Sequence, residues 1–232
     1  MWVMMIPILP LIGVFLCGLC AVLKVKGKLP AYLSVGLIGT AFVLVLSLFV
    51  NNFMDPASTK VMVSHVYTWF DLHWPAISAQ VGEQHFVASF AFYLDSLTIL
   101  WMLFVTLLGA LIALYASEYM AHDLGLGYCR FFAAFNLFVF SMSCLVMADN
   151  LVLMFLGWEG VGLCSYLLIG YFYKKEAAVA AGKKAFIVNR IADLFLVLGL
   201  MGIYVAFGTV EYSKVFEMIA NGVDGSGAPL AG

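Results

Sequence analysis

Between Leu151 and Tyr173 the chain reads LVLMFLGWEGVGLCSYLLIGYFY, an apolar run whose one charge, Glu159, falls near its middle. Wound as a helix, at about 1.5 Å of rise per residue, such a run crosses a hydrocarbon layer roughly 30 Å thick. A charge at that depth costs at least about 2.5–3.5 kcal/mol on insertion scales. A carboxylate kept there despite the cost points to an ion or proton site, or to the partner of a buried cation.

Five further stretches reach or approach spanning length: about Trp2–Leu23, Leu29–Val50, Leu94–Ser117, Phe131–Ala148 and Lys184–Phe207. The chain is 65% hydrophobic and 10% charged, with a mean hydropathy of +1.06. Soluble domains carry about 25% charged residues, so the class is a polytopic membrane protein. The expected fold is all-α, with about six transmembrane helices and an outer-side β-hairpin. Residues 1–50 hold helices one and two, 51–93 an outer loop, 94–207 helices three to six, and 208–232 an interfacial segment and flexible end. A net charge of −2 gives no basis for a nucleic-acid partner.

Lysine and arginine set the expected orientation. Lys24, Lys26, Lys28, Arg130, Lys174, Lys175, Lys183 and Lys184 fall after the first, third and fifth spans, while Lys60 and Lys214 fall on the opposite side. By the positive-inside rule both termini lie outside and the lysine clusters face inward. The N-terminus has no positive n-region ahead of its apolar stretch, which suits an uncleaved first helix.

In the outer loop, VMVSHVYTWFDL and QHFVASFAFYL are rich in β-branched and aromatic residues and are separated by WPAISAQVGE, the pattern of a hairpin. His65, His73 and His85 have no metal-site spacing. Cys17 and Cys20 form a CxxC inside an apolar helix, without the βαβ context of a redox motif, and read as packing residues. GTVEYSKVFEMIA has an amphipathic helical pattern suited to the outer interface, and NGVDGSGAPLAG is turn-forming.

Glu159, Arg190 and Asp193 are the charges within the predicted membrane core. By helical rise Glu159 lies roughly 12 Å from the outer end of its helix, and Asp193 roughly 13–15 Å from the inner end of the next. All three therefore occupy one middle band. Arg190 and Asp193, spaced i and i+3, share a face and can pair. Lys183 and Lys184 lie one to two turns nearer the inner surface, extending a trail of ionisable groups that resembles a proton entry path. A lone carboxyl at this depth favours its neutral form and a nearby cation reverses that, which suits a proton switch. The bland alternative is a set of charges that only pair. Gly157, Gly160 and Gly162 would let helices approach closely, and Ser165 could bond across an interface. Glu118, Asp123 and Asp149 read as helix-end or turn residues for which snorkelling or solvation suffices, and Asp95 as an N-terminal helix charge.

ADNLVLMFLGWEGVGLCSYLLIGYFY, KKAFIVNRIADLFLVLG, RFFAAFNLFVFSMSCLVMADN and FYLDSL together resemble the antiporter-like subunit L of proton-pumping NADH:quinone oxidoreductase, respiratory complex I. The likeness covers most of residues 85–212, and residues 1–84 agree in layout. Mrp-type Na⁺/H⁺ antiporter subunits share the fold. The resemblance implies that Glu159 is the fifth-helix glutamate that works with a lysine on a broken seventh helix. It also implies that Arg190 and Asp193 belong to the polar path, with no catalytic redox group and no metal on this chain. NADH, FMN, iron–sulfur clusters and quinone belong to other subunits. Implied partners are other complex I membrane subunits, the lipid bilayer and the C-terminal portion of the same subunit, in an energy-conserving membrane such as the bacterial inner membrane. Family members are more than twice this length, so the expectation is an incomplete antiporter-like fold, an N-terminal portion in which Glu159 lacks its lysine, is protonated and does not pump alone. Alternatives are an Mrp-type antiporter subunit and a non-conducting structural fragment.

Overall fold

A computed structural model describes residues 2–54, 61–74, 84–225 and 227–229. Six long helices follow the six apolar runs: α1 Met5–Val22, α2 Leu29–Met54, α3 Ser96–Tyr119, α4 Leu126–Met147, α5 Leu151–Ile169 and α6 Glu176–Phe207. All six are long and apolar enough to cross a membrane. Helices are the natural solution for such runs, because each backbone donor finds its acceptor within the segment. A short 3₁₀ turn, Trp2–Met4, leads into α1, and another, Met120–Asp123, follows α3.

α4 is the central element. It packs on α1, α3 and α5, while α2 packs on α1 and α3, and α6 reaches the bundle through α5. Buried residues make up 44% of the apolar stretch of α4 but 6% of that of α6, so α6 is peripheral here. One apolar cluster, around Ile38, Phe132 and Val139, fills the end of the bundle that carries the lysines. A second, around Ile6, Phe92 and Met147, fills the opposite end. Within the first lies a polar contact: fully buried Asn136 on α4 donates to Ser34 Oγ on α2 (2.5 Å) and to Phe132 O (2.7 Å). Gly13 on α1 leaves room for that amide, which a Cβ would overlap.

The expected hairpin is present. β1 (Met62–Trp74) pairs antiparallel with β2 (Gln84–Leu94), and bulges near Val66 and Trp69 shift the register. The link after Trp74, and Lys60, lie outside the described residues. Asp95 caps α3, accepting from Thr98 N at 2.7 Å, as its position at a helix start suggested.

The hairpin and the segment after α6 both dock on the α4–α5 turn through backbone contacts. Asp149 N donates to Ala91 O, Leu151 N to Val210 O, and Tyr212 N to Asp149 O. Asn150, fully buried, caps α5 by accepting from Leu153 N (2.9 Å) and donates to Ser89 O (2.6 Å). This seam also fixes α7 (Tyr212–Ala220), the expected amphipathic helix. Asp149 is therefore not a solvated turn residue: it is 6% exposed and its Oδ1 has no partner among the described residues.

α6 begins at Glu176 and not near Lys184, so Lys183 and Lys184 belong to a helix of 32 residues. The segment EAAVAAGKKA contains mostly strong helix formers, and charge at its start does not break a helix that projects beyond the apolar layer. The C-terminal segment, expected to be flexible, folds back where it is described. Gly225 N donates to Ala206 O, and Asp224 accepts from Ala228 N (2.9 Å).

Candidate functional site

The site forms where α5 and α6 run antiparallel. The Asn150 cap starts α5, which places Glu159 just over two turns in, roughly 12 Å along. On the side facing α4, Gly157 lies against the backbone of Leu145 and Gly160 against the Ser141 side chain, so neither tolerates a Cβ without movement. Nearer the lysine end, Gly182 of α6 lies against Gly170, where a Cβ would sit 3.3–3.4 Å from the Gly170 backbone. Gly182 and Asp193 are the buried residues of α6. A carboxylate at one of the two buried positions of a long apolar helix must have partners nearby.

Those partners converge from both helices. Arg190 Nη1 pairs with Glu159 Oε2 and lies 3.7 Å from Asp193 Oδ2. Trp158 Nε1 donates to Asp193 Oδ1 at 2.7 Å. The guanidinium covers the Phe186 ring, with Cζ 4.6 Å from the centroid, and Arg190 Nε is buried without a partner among the described residues. The side chains of Glu159, Arg190 and Asp193 are 23%, 35% and 6% exposed. With all three ionised the cluster carries a formal charge of −1. One proton, or one further cation, would neutralise it.

The expected common band for Glu159, Arg190 and Asp193 is thus realised, with different pairings. Arg190 pairs closely with Glu159 across the helix interface and more distantly with Asp193. Glu159 is not unpartnered, because α6 brings Arg190 to it from within this chain. Lys183 and Lys184 do not join the cluster. They are exposed, roughly 9–11 Å along the helix from Arg190, and Phe186 fills the face between, its ring tilted on Tyr166 (5.6 Å). Gly162 faces the Asn189 and Arg190 side chains at ordinary contact distance, so it does not mark a backbone crossing. Ser165 donates to Val161 O of its own helix, not across an interface.

Trp158 was not singled out from the sequence. The usable signal was an indole N–H inside an apolar run, which needs an acceptor when water is absent. Asn136, an amide in the middle of a span, gave a similar signal. The five cysteines are free and buried, in keeping with a packing role. Cys17 lies within 3.5 Å of Ser34 Oγ.

Residues 80–132 match a family model described as NADH-ubiquinone oxidoreductase (complex I), chain 5 N-terminus. Residues 148–231 match one described as NADH:quinone oxidoreductase/Mrp antiporter, TM. NADH-quinone oxidoreductase subunit L of Escherichia coli is 40% identical over 211 residues, covering 91% of this chain and 32% of that protein. The subunit L of Neisseria meningitidis is 36% identical over 221 residues (94% and 30%). The chloroplastic NAD(P)H-quinone oxidoreductase subunit 5 of Malvaviscus arboreus is 36% identical over 179 residues (77% and 24%). The chain therefore spans less than a third of the length of each of these relatives. Two solved structures share the fold. The Mrp complex from Dietzia has a TM-score of 0.67 at 21% identity (90% of this chain, 20% of that one). The archaeal membrane-bound sulfane sulfur reductase has a TM-score of 0.73 at 18% identity (93% and 39%). The chain belongs to the antiporter-like family of membrane subunits that includes subunit L of NADH-quinone oxidoreductase.

Proposed function

We propose that this chain forms part of a proton-translocating membrane subunit of an NADH:quinone oxidoreductase, and that Glu159, Arg190 and Asp193 are its protonatable site. The observation that carries the reading is the single guanidinium shared by two carboxylates within apolar spans. With Glu159 ionised, Arg190 is held by it. Protonation of Glu159 removes that attraction and leaves Asp193, 3.7 Å away, as the remaining anion for the guanidinium. Trp158 holds Asp193 in place for this exchange. A lysine from elsewhere in the subunit would compete with Arg190 for Glu159 and so drive the same exchange. Lys183 and Lys184 supply protons from the lysine-bearing side, which faces the cytoplasm of a bacterial inner membrane, and a route from them past Phe186 requires that ring to move. Redox chemistry with NADH, flavin, iron–sulfur clusters and quinone belongs to other subunits of the assembly.

The test is Glu159→Gln in the assembled enzyme, with NADH-driven proton uptake into membrane vesicles as the readout. The expected result is loss of this subunit's share of pumping while NADH oxidation and assembly persist. An unchanged proton-to-electron ratio overturns the assignment. The family description also covers Mrp antiporters. Sodium flux that is independent of NADH, and lost in the same variant, would favour that reading.

A further inference from the structure

At the lysine-bearing end, the turn after α3 and the turn between α5 and α6 enclose a cleft of about 390 Å³. Arg130, Lys174 and Lys175 line it together with His122, Asp123 and Tyr171. The one carboxylate is already engaged. Asp123 accepts from the Tyr171 hydroxyl and lies against Gly127 in the first turn of α4, where a Cβ would overlap it. Asp123 keeps its negative charge in that bond, so the cleft has a net formal charge of +2 from one carboxylate and three cations. Two of them rest on aromatic rings that fix their direction: Arg130 Cζ lies 5.1 Å from the Tyr173 centroid and Lys175 Nζ 5.0 Å from that of Phe172.

Arg130 and Tyr171 also wall a second cavity of about 240 Å³, whose other lining is Val14, Ala133, Ala134, Leu137 and Leu167. This one runs along α1, α4 and α5 and has no other charged residue. A cationic chamber that adjoins, across Arg130 and Tyr171, an apolar groove along membrane-spanning helices matches the polarity of a phospholipid, head beside tail. The groove at the hairpin end offers no such chemistry, because there Lys214 is paired with Glu211 at 2.9 Å.

We propose that this composite site binds an anionic phospholipid, its phosphate held by Arg130, Lys174 and Lys175 and one acyl chain lying along Ala133, Ala134 and Leu137. Basic pockets between spanning helices are suited to such headgroups, and each cation near the surface strengthens binding by a factor of about five. The proposal is independent of any role for Glu159.

The test is native mass spectrometry of the detergent-purified chain with dioleoyl phosphatidylglycerol or dioleoyl phosphatidylcholine. The expected result is preferential retention of phosphatidylglycerol, falling about fivefold for each cation removed in Arg130→Gln and in the Lys174→Gln/Lys175→Gln pair. Lys214→Gln, outside the site, should leave the preference unchanged. The exposed lysine pair keeps the test valid if Arg130→Gln fails to fold. Equal retention of the two lipids, or a preference unmoved by the lysine pair, overturns the proposal. Inorganic phosphate and Ala134→Phe separate the two sources of the phosphate group. A lipid site loses phosphatidylglycerol when the groove is filled and resists displacement by phosphate. Full displacement by phosphate with no effect of Ala134→Phe means a free-anion site and refutes the lipid.

Discussion

Arg190 serves two carboxylates, and that arithmetic governs what its removal does. Breaking a buried ion pair by deleting one partner leaves uncompensated charge and costs about 3–5 kcal/mol. Because Arg190 is 35% exposed, Arg190→Gln is expected near the lower end, about 3 kcal/mol. The triple change Glu159→Gln/Arg190→Gln/Asp193→Asn, which removes all three charges, should recover most of that loss. Denaturant titration of the detergent-solubilised chain measures both, and a triple variant no more stable than Arg190→Gln would contradict the shared-guanidinium account. Trp158 acts on the same cluster from α5. Its N–H bond to a buried carboxylate predicts that Trp158→Phe, which keeps most of the ring, costs about 1.5 kcal/mol. No measurable change in the same titration would mean that solvent or Arg190 replaces the indole.

At the scale of elements, the α4–α5 contact and the α5–α6 contact are built differently, and glycine substitutions separate them. Gly157 lies against the main chain of Leu145. Backbone cannot rotate aside as a side chain can, so Gly157→Ala should force α5 away from α4 and cost about 1–3 kcal/mol. Gly162 faces only the ends of Asn189 and Arg190 at 3.6–3.7 Å, so Gly162→Ala should change the thermal midpoint little. Equal losses in the two variants would refute this assignment of contacts. The elements themselves were readable from the chain because apolar length and charge placement decide them. Six runs became six helices, and the alternation of Lys clusters put the ends of α5 and α6 where Glu159 and Asp193 fall level. What was not readable depends on rotation about the helix axes. Periodicity could not tell that Arg190 turns toward Glu159 more closely than toward Asp193, nor that Phe186 interrupts the line from Lys183. α6 starts about two turns before its apolar run for a different reason: polarity marks where the membrane ends, not where a helix does.

For the whole molecule, the seam at the α4–α5 turn joins parts far apart in sequence: the hairpin through Ala91 and Ser89, the bundle through Asn150, and α7 through Val210 and Tyr212. Asp149 sits in this seam beside charged neighbours from each element: Glu211 at the start of α7, Lys214 within it and His65 on β1. Burial, reinforced by Glu211 and opposed by His65 and Lys214, holds its carboxyl above the ordinary value of 3.8. The same surroundings act on Tyr212, whose hydroxyl is pushed up to about 12 by burial and by Asp149. The sign for Asp149 follows from linkage. Between the unfolded value and the raised folded value the native state binds more protons than the unfolded one, so stability falls as pH rises through that window and levels off above it. Asp149→Asn removes the ionisation while keeping the side-chain shape. It should flatten that part of the stability profile and raise stability at neutral pH, where the native carboxylate must be held charged in a buried site. The seam is the attachment of both the hairpin and α7, so the gain should appear as slower exchange of its three donor amides, at position 149, Leu151 and Tyr212, together. A lower stability for Asp149→Asn at neutral pH, or protection that rises at only one of these three amides, would show that the ionised carboxylate is a structural tie between these elements and not a strain on them.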